Sequence, residues 1–99
     1  MGFDKRFHCD FPSDLAVATT YYDSISPILG NRFRDQVRET IGEVVERPES
    51  FGFARGQLRF ASVGRFPYLI LFQIVDATIF IAGLYHASSD PARWLKRTE

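Results

Sequence analysis

The sequence predicts one α+β domain spanning residues 1–99, in the order β–α–α–β–β–β–α, with an N-terminal helical hairpin packed on an antiparallel sheet. Three observations carry this reading. Apolar residues recur at helical spacing from Leu15 to Val45. Three apolar runs between Leu58 and His86 are joined by very short connections, which makes them an antiparallel meander, since parallel neighbours need long crossovers. An Asp90-Pro91 pair then opens a last short helix. Ninety-nine residues make one core and bury enough surface to fold without staples.

The elements follow in order. Phe7, Cys9 and Phe11 alternate with His8 and Asp10, which predicts a short half-buried strand with Cys9 on its core side. Pro12-Ser13-Asp14 has helix-start chemistry, and Leu15, Ala18, Tyr22 and Ile25 give the first helix its apolar face. Tyr22 is expected in the core and Tyr21 at its rim. Ser26-Pro27 breaks that helix, and a second is expected from about Leu29 to Asn31 onward. Its stripe is Phe33, Val37, Ile41, Val44 and Val45, with Arg38 placed to partner Asp35 on the other side. Gly42 costs the helix about 1 kcal/mol relative to alanine, which a close approach of another element would justify. Pro48 ends the helix, and residues 49–57 read as a loop.

Leu58–Val63, Tyr68–Val75 and Thr78–His86 are the meander strands, turned at Gly64-Arg65 and Asp76-Ala77. Ala92, Trp94 and Leu95 dock the last helix. Leu69 to Phe72 and Ile79 to Ala82 are apolar at successive positions, so both sheet faces need cover. The helical hairpin covers one face. A single-turn helix is too small for the other, so either the strands curl around a core of their own or, as preferred here, a partner chain or a second copy of this one supplies the missing layer.

Twelve Lys plus Arg balance twelve Asp plus Glu, which excludes a protein-wide phosphate footprint but leaves room for a local basic patch. One cysteine allows no internal disulfide. The N-terminal residues lack a signal-like apolar run, and Gln73, Asp76 and Thr78 interrupt the longest apolar stretch. A soluble cytoplasmic protein is expected, without a membrane span or cofactor. No metal site is expected either, because His8, Cys9 and Asp10 are adjacent in a strand and point apart.

Several features together resemble the RelE/ParE superfamily of small toxins. They are Asp14-Leu15 and Tyr21-Tyr22 on the first helix, Gly30, Arg32 and Phe33 opening the second, and Pro48 after it. Arg59, the hairpin sequence Phe66-Pro67-Tyr68, and the close His86…Asp90-Pro91…Trp94 complete the set. The close is most similar to the plasmid-stabilisation branch. The resemblance covers essentially the whole chain and implies the toxin of a type II toxin–antitoxin pair, neutralised by a cognate antitoxin that wraps an extended segment around it. Such toxins either inhibit DNA gyrase, as ParE-like members do, or cleave messenger RNA at the ribosome, as RelE-like members do. A non-toxic relic that keeps only the binding fold is the remaining reading.

Cleavage through a 2′-hydroxyl needs a base, an acid and positive charge on the phosphorane. The resemblance implies one arginine early in the second meander strand and another just past the third. Here those regions read Tyr68-Leu69-Ile70 and Ala87-Ser88-Ser89, so both arginines are missing and the gyrase-inhibitor reading is preferred. A different constellation for cleavage would use His86 as acid or base, Arg59, Arg65 and Arg93 on phosphate, and Tyr85 as acid or stacking surface. Alternatively, His86 simply ends its strand and hydrogen-bonds the loop leading to Asp90.

Overall fold

The computed structural model describes residues 3–98. Strand β1 (Asp4–Phe7) is followed by helices α1 (Phe11–Ile25) and α2 (Pro27–Glu46) and a 3₁₀ turn at Pro48–Ser50. Strands β2 (Phe53–Arg55), β3 (Leu58–Ser62), β4 (Tyr68–Val75) and β5 (Thr78–His86) come next. Helix α3 (Ala92–Leu95) and a final 3₁₀ turn at Lys96–Thr98 close the chain. The sheet order is β1-β5-β4-β3-β2. The expected meander of β3, β4 and β5 is antiparallel throughout.

Three details of element placement differ from the sequence reading. The first strand lies earlier than expected and pairs parallel to β5, so the sheet is mixed. His8-Cys9-Asp10 therefore sit in the turn before α1, where Cys9 is exposed and not part of the core. Part of the expected loop also pairs with β3 as the short strand β2, through a local register shift. Finally, α2 starts at Pro27. Ser26 is extended and its hydroxyl accepts from the Leu29 N–H, while proline suits a first helical position because it lacks only a donor that would be free anyway.

The helix–sheet core joins Phe11, Ala18 and Tyr22 of α1 and Phe33, Val37 and Val44 of α2 to Ile70, Phe72, Ile79, Ile81 and Leu84. Tyr22, Phe33, Phe66 and Tyr68 meet there with ring centroids 4.9–6.2 Å apart. Gly42 is exposed, and a Cβ there would touch nothing. The close approach is made instead at buried Gly30, where a Cβ would fall on the Asp23 carboxylate that pairs with Arg34. Arg38 does pair with Asp35, at 3.1 Å.

The opposite sheet face is covered by the chain itself. Leu58, Leu71, Ala82, Tyr85 and Trp94 form a second buried cluster, flanked by Ala54, Phe60, Leu69, Phe80 and Leu95. A partner is thus not needed to bury these positions. The single-turn helix suffices because its central contact is an indole, which shields far more surface than an aliphatic side chain. A bulge in β5 helps to divide the two clusters. Leu71 pairs with Gly83 but Phe72 with Ile81, leaving Ala82 as an extra residue. Ile81 and Leu84 consequently both face the helices, while Ala82 and Tyr85 face Trp94.

Candidate functional site

The β5 bulge, the N-terminal half of α1 and the C-terminal turn converge on one ion pair. Arg97 donates from Nη1 to Asp14 Oδ2 at 2.6 Å and from Nη2 to Asp14 Oδ1 at 3.0 Å. Nη1 also reaches the Ala82 carbonyl, and Asp14 Oδ2 accepts the Leu84 N–H at 3.1 Å. The hydrogen bond to Asp14 pushes the Arg97 pKa further up, against the opposing effect of burial. Gly83 lies beneath. A Cβ there would stand 2.6 Å from the Tyr85 ring, 2.8 Å from Arg97 and 3.0 Å from Asp14. In the sequence Asp14 reads as helix-start chemistry and as part of the family resemblance, and Arg97 carries no role. The available signal was a glycine inside an otherwise apolar strand.

Around this clasp opens a cleft of roughly 300 Å³, whose walls include Ser13, Val17, Tyr68, Tyr85, His86 and Arg93. Two further hollows adjoin it. One, of roughly 330 Å³, is bounded by His8, Asp10, Tyr85, Arg93, Lys96 and Arg97. The other, of roughly 370 Å³, lies between Tyr21, Tyr22 and Ile25 of α1 and Pro67, Tyr68 and His86. Three of the five sequence-derived candidates, His86, Tyr85 and Arg93, therefore share one cleft.

Arg59 and Arg65 lie elsewhere. The Arg59 guanidinium donates to the Phe51 carbonyl at 2.6 Å and stacks 4.1 Å over the Phe53 ring, on the β2–β3 side of the sheet. Arg65 belongs to the β3–β4 connection and lines a different groove with Arg32, Asp35, Gln36 and Glu39 of α2. Neither of them lines the cleft that holds His86.

His86 is exposed at the end of β5, with its ring 5.3 Å from that of Tyr68. Its Nδ1 lies 3.1 Å from the Ser88 N–H and 2.7 Å from the Ser88 hydroxyl. An amide can only donate, so Nδ1 accepts and a neutral ring carries its hydrogen on Nε2. In that tautomer His86 offers the cleft a donor, while its basic nitrogen is occupied by the turn. The turn is held further by Ser89, whose hydroxyl donates to the His86 carbonyl and accepts from the Trp94 indole at 3.1 Å. Asp90 caps the Ala92 N–H at 3.0 Å.

Burial pushes the Tyr85 phenol up, partly offset by Arg97, and burial likewise raises Tyr68. Both phenols remain protonated at neutral pH and can act as donors, not bases.

At the turn before α1, the geometric argument against metal binding does not hold. His8, Cys9 and Asp10 each offer a donor atom, all within 4.8 Å of one another. Residues in a turn can converge where residues in a strand cannot. Of the three donors, His8 Nδ1 is already taken by the Asp10 N–H at 3.0 Å.

No known protein-family profile matches the sequence, and no curated protein matches it. Solved structures do resemble the fold. A chain of the chromosomal ParDE toxin–antitoxin system of P. aeruginosa superposes with a TM-score of 0.73 at 16% identity, covering 85% of this chain and 95% of that one. An arginine-substituted mutant of the E. coli toxin RelE, in the free state, superposes with a TM-score of 0.71 at 19% identity over 100% of both chains. No helix among the described residues is long and apolar enough to cross a membrane. The chain has the RelE/ParE fold.

Proposed function

We propose that this protein is the toxin of a type II toxin–antitoxin pair, of the plasmid-stabilisation kind, acting in the cytoplasm and neutralised by a cognate antitoxin. We further propose that it acts on DNA gyrase, as ParE-like toxins do, and does not cleave messenger RNA. The single observation that carries the second part is the chemistry of the cleft. His86 presents a donor because Nδ1 is engaged by Ser88, and Tyr68 and Tyr85 keep their protons. Cleavage through a 2′-hydroxyl requires a proton acceptor aimed into the cleft, whereas the accepting nitrogen of His86 is engaged by the Ser88 turn. The Tyr68-Leu69-Ile70 and Ala87-Ser88-Ser89 segments also lack the arginines that the resemblance associates with cleavage.

One observation favours the nuclease reading instead: His86, Tyr85 and Arg93 do share a cleft. Growth on induction, with and without the antitoxin encoded beside this gene, tests the toxin assignment, and no arrest supports the non-toxic relic. Gyrase supercoiling and ribosome-dependent messenger integrity, assayed with the purified protein, separate the two toxic activities. Intact messenger with blocked supercoiling is the expected result; cleaved messenger with normal supercoiling contradicts it.

A further inference from the structure

Helices α1 and α2 present very different faces to solvent. The exposed residues of α2 include Arg32, Asp35, Arg38, Glu39, Glu43 and Glu46. Those of α1 are Pro12, Ser13, Ala16, Val17, Thr20, Tyr21, Ser24 and Ile25, without one charge. The two acids of α1 are both neutralised by ion pairs, Asp14 with the sheltered Arg97 and the half-exposed Asp23 with Arg34 of α2. Apolar side chains stand well out of this neutral face: Val17 is 73% exposed, and Tyr21 and Ile25 are each 59% exposed.

The face divides into two adjacent ridges at four-residue spacing. Val17, Tyr21 and Ile25 form a ridge of large side chains, and Ala16, Thr20 and Ser24 form a ridge of small ones. Helices pack by placing the ridge of one into the groove of another. In an antiparallel pair related by a two-fold axis between positions 20 and 21, each large residue meets a small one of the other copy. Val17 faces Ser24, Tyr21 faces Thr20, and Ile25 faces Ala16. We infer that the outward face of α1 is a self-association surface whose occupant is the same face of a second copy of this chain.

Charge matching selects that occupant. A charged partner face would lose its hydration against α1 without gaining a counter-charge. The neutral, size-complementary helix that the structure offers is α1 itself, and an isologous contact of this kind closes as a dimer. The inference is independent of the toxin assignment.

Sedimentation of the intact protein across a micromolar to submillimolar range tests it. A monomer–dimer equilibrium is expected. Tyr21→Glu should weaken it by about a hundredfold, because the interface would then bury a charge. Thr20→Lys, on the small ridge, should do the same and guards against a folding defect in the first variant. In a Cys9→Ser background, a chain carrying both Val17→Cys and Ser24→Cys should form disulfide-linked dimers on oxidation. The two positions are about 10 Å apart along one helix, too far to bridge within a chain. A protein that stays monomeric overturns the inference, as does a dimer indifferent to both charge variants. Loss of antitoxin binding by Tyr21→Glu in a protein that is monomeric when alone assigns the face to the antitoxin and overturns it as well.

Discussion

Asp14 and Arg97, eighty-three residues apart, form a two-pronged ion pair that fastens the last turn of the chain to its first helix. Both side chains are largely sheltered, with 12% and 17% of their surface exposed. The carboxylate also accepts the Leu84 N–H, so the pair pins the bulged part of β5 beside Tyr85 and His86. The cleft is thereby assembled from three distant segments by one contact.

Removing one partner strands the other. Arg97→Met should destabilise the fold by about 3 kcal/mol, the low end for a broken buried pair, because some solvent still reaches the site. Asp14→Leu combined with Arg97→Met should recover most of that loss, since two apolar groups leave no uncompensated charge. Urea unfolding of the wild type, both single variants and the double variant gives the coupling. A loss under about 1 kcal/mol in each single variant would put the pair among ordinary surface salt bridges.

Alanine at three glycines should give opposite signs. Gly42→Ala should stabilise by about 1 kcal/mol, since its Cβ meets open space and the helix gains propensity. Gly83→Ala should destabilise, because its Cβ would press on Tyr85, Arg97 and Asp14 together. Gly30→Ala should also destabilise by forcing Asp23 away from Arg34. Thermal melts of the three variants suffice. A stabilised Gly83→Ala would mean that the clasp yields easily.

The same glycines show where the sequence was legible. The Phe33–Val37–Val44 stripe, the three meander strands and the Asp90 cap followed from local rules of period, turn and cap. Gly42 misled because it breaks a propensity rule with no packing reason in the structure, whereas Gly30 and Gly83 answer to residues distant in space. The parallel β1–β5 pairing, the bulge at Ala82 and the Asp14–Arg97 pair are likewise long-range facts. Periodicity cannot report them. In the cleft, the positions of Tyr85, His86 and Arg93 near one chain end hinted at proximity, but only the fold separates them from Arg59 and Arg65.

Alkaline pH should unfold the protein through its tyrosines. Burial raises the pKa of Tyr22, Tyr68 and Tyr85 above 10.0. For an acid whose folded pKa is raised, the unfolded chain loses its proton first. Stability is therefore full below the unfolded value and falls as pH rises from there through the folded value. Denaturant midpoints should stay level up to about pH 9 and drop above about pH 10. Absorbance at the phenolate band should rise with unfolding, and Tyr85→Phe should soften the drop. Reversible ionisation of every tyrosine in a chain that remains folded and equally stable would contradict the burial argument.

His86 distinguishes a donor from a base. If its ring supplies only Nε2–H to the cleft, His86→Gln keeps a side-chain donor and should retain toxicity per folded molecule. Ser88→Ala keeps the Ser88 amide contact and removes only the hydroxyl at 2.7 Å, so it too should remain toxic. If His86 were a general base, His86→Gln should cost about 10²–10⁴ in rate. Arg93→Ala extends the comparison, since Arg93 lines the same cleft and lies outside the Asp14–Arg97 clasp. Each variant is first checked for wild-type unfolding, then assayed for supercoiling inhibition and messenger cleavage. Retained supercoiling inhibition by His86→Gln, with messenger intact, is the expected outcome. Messenger cleavage by the wild type that collapses in both His86→Gln and Arg93→Ala would make the cleft a nuclease site and displace the gyrase reading.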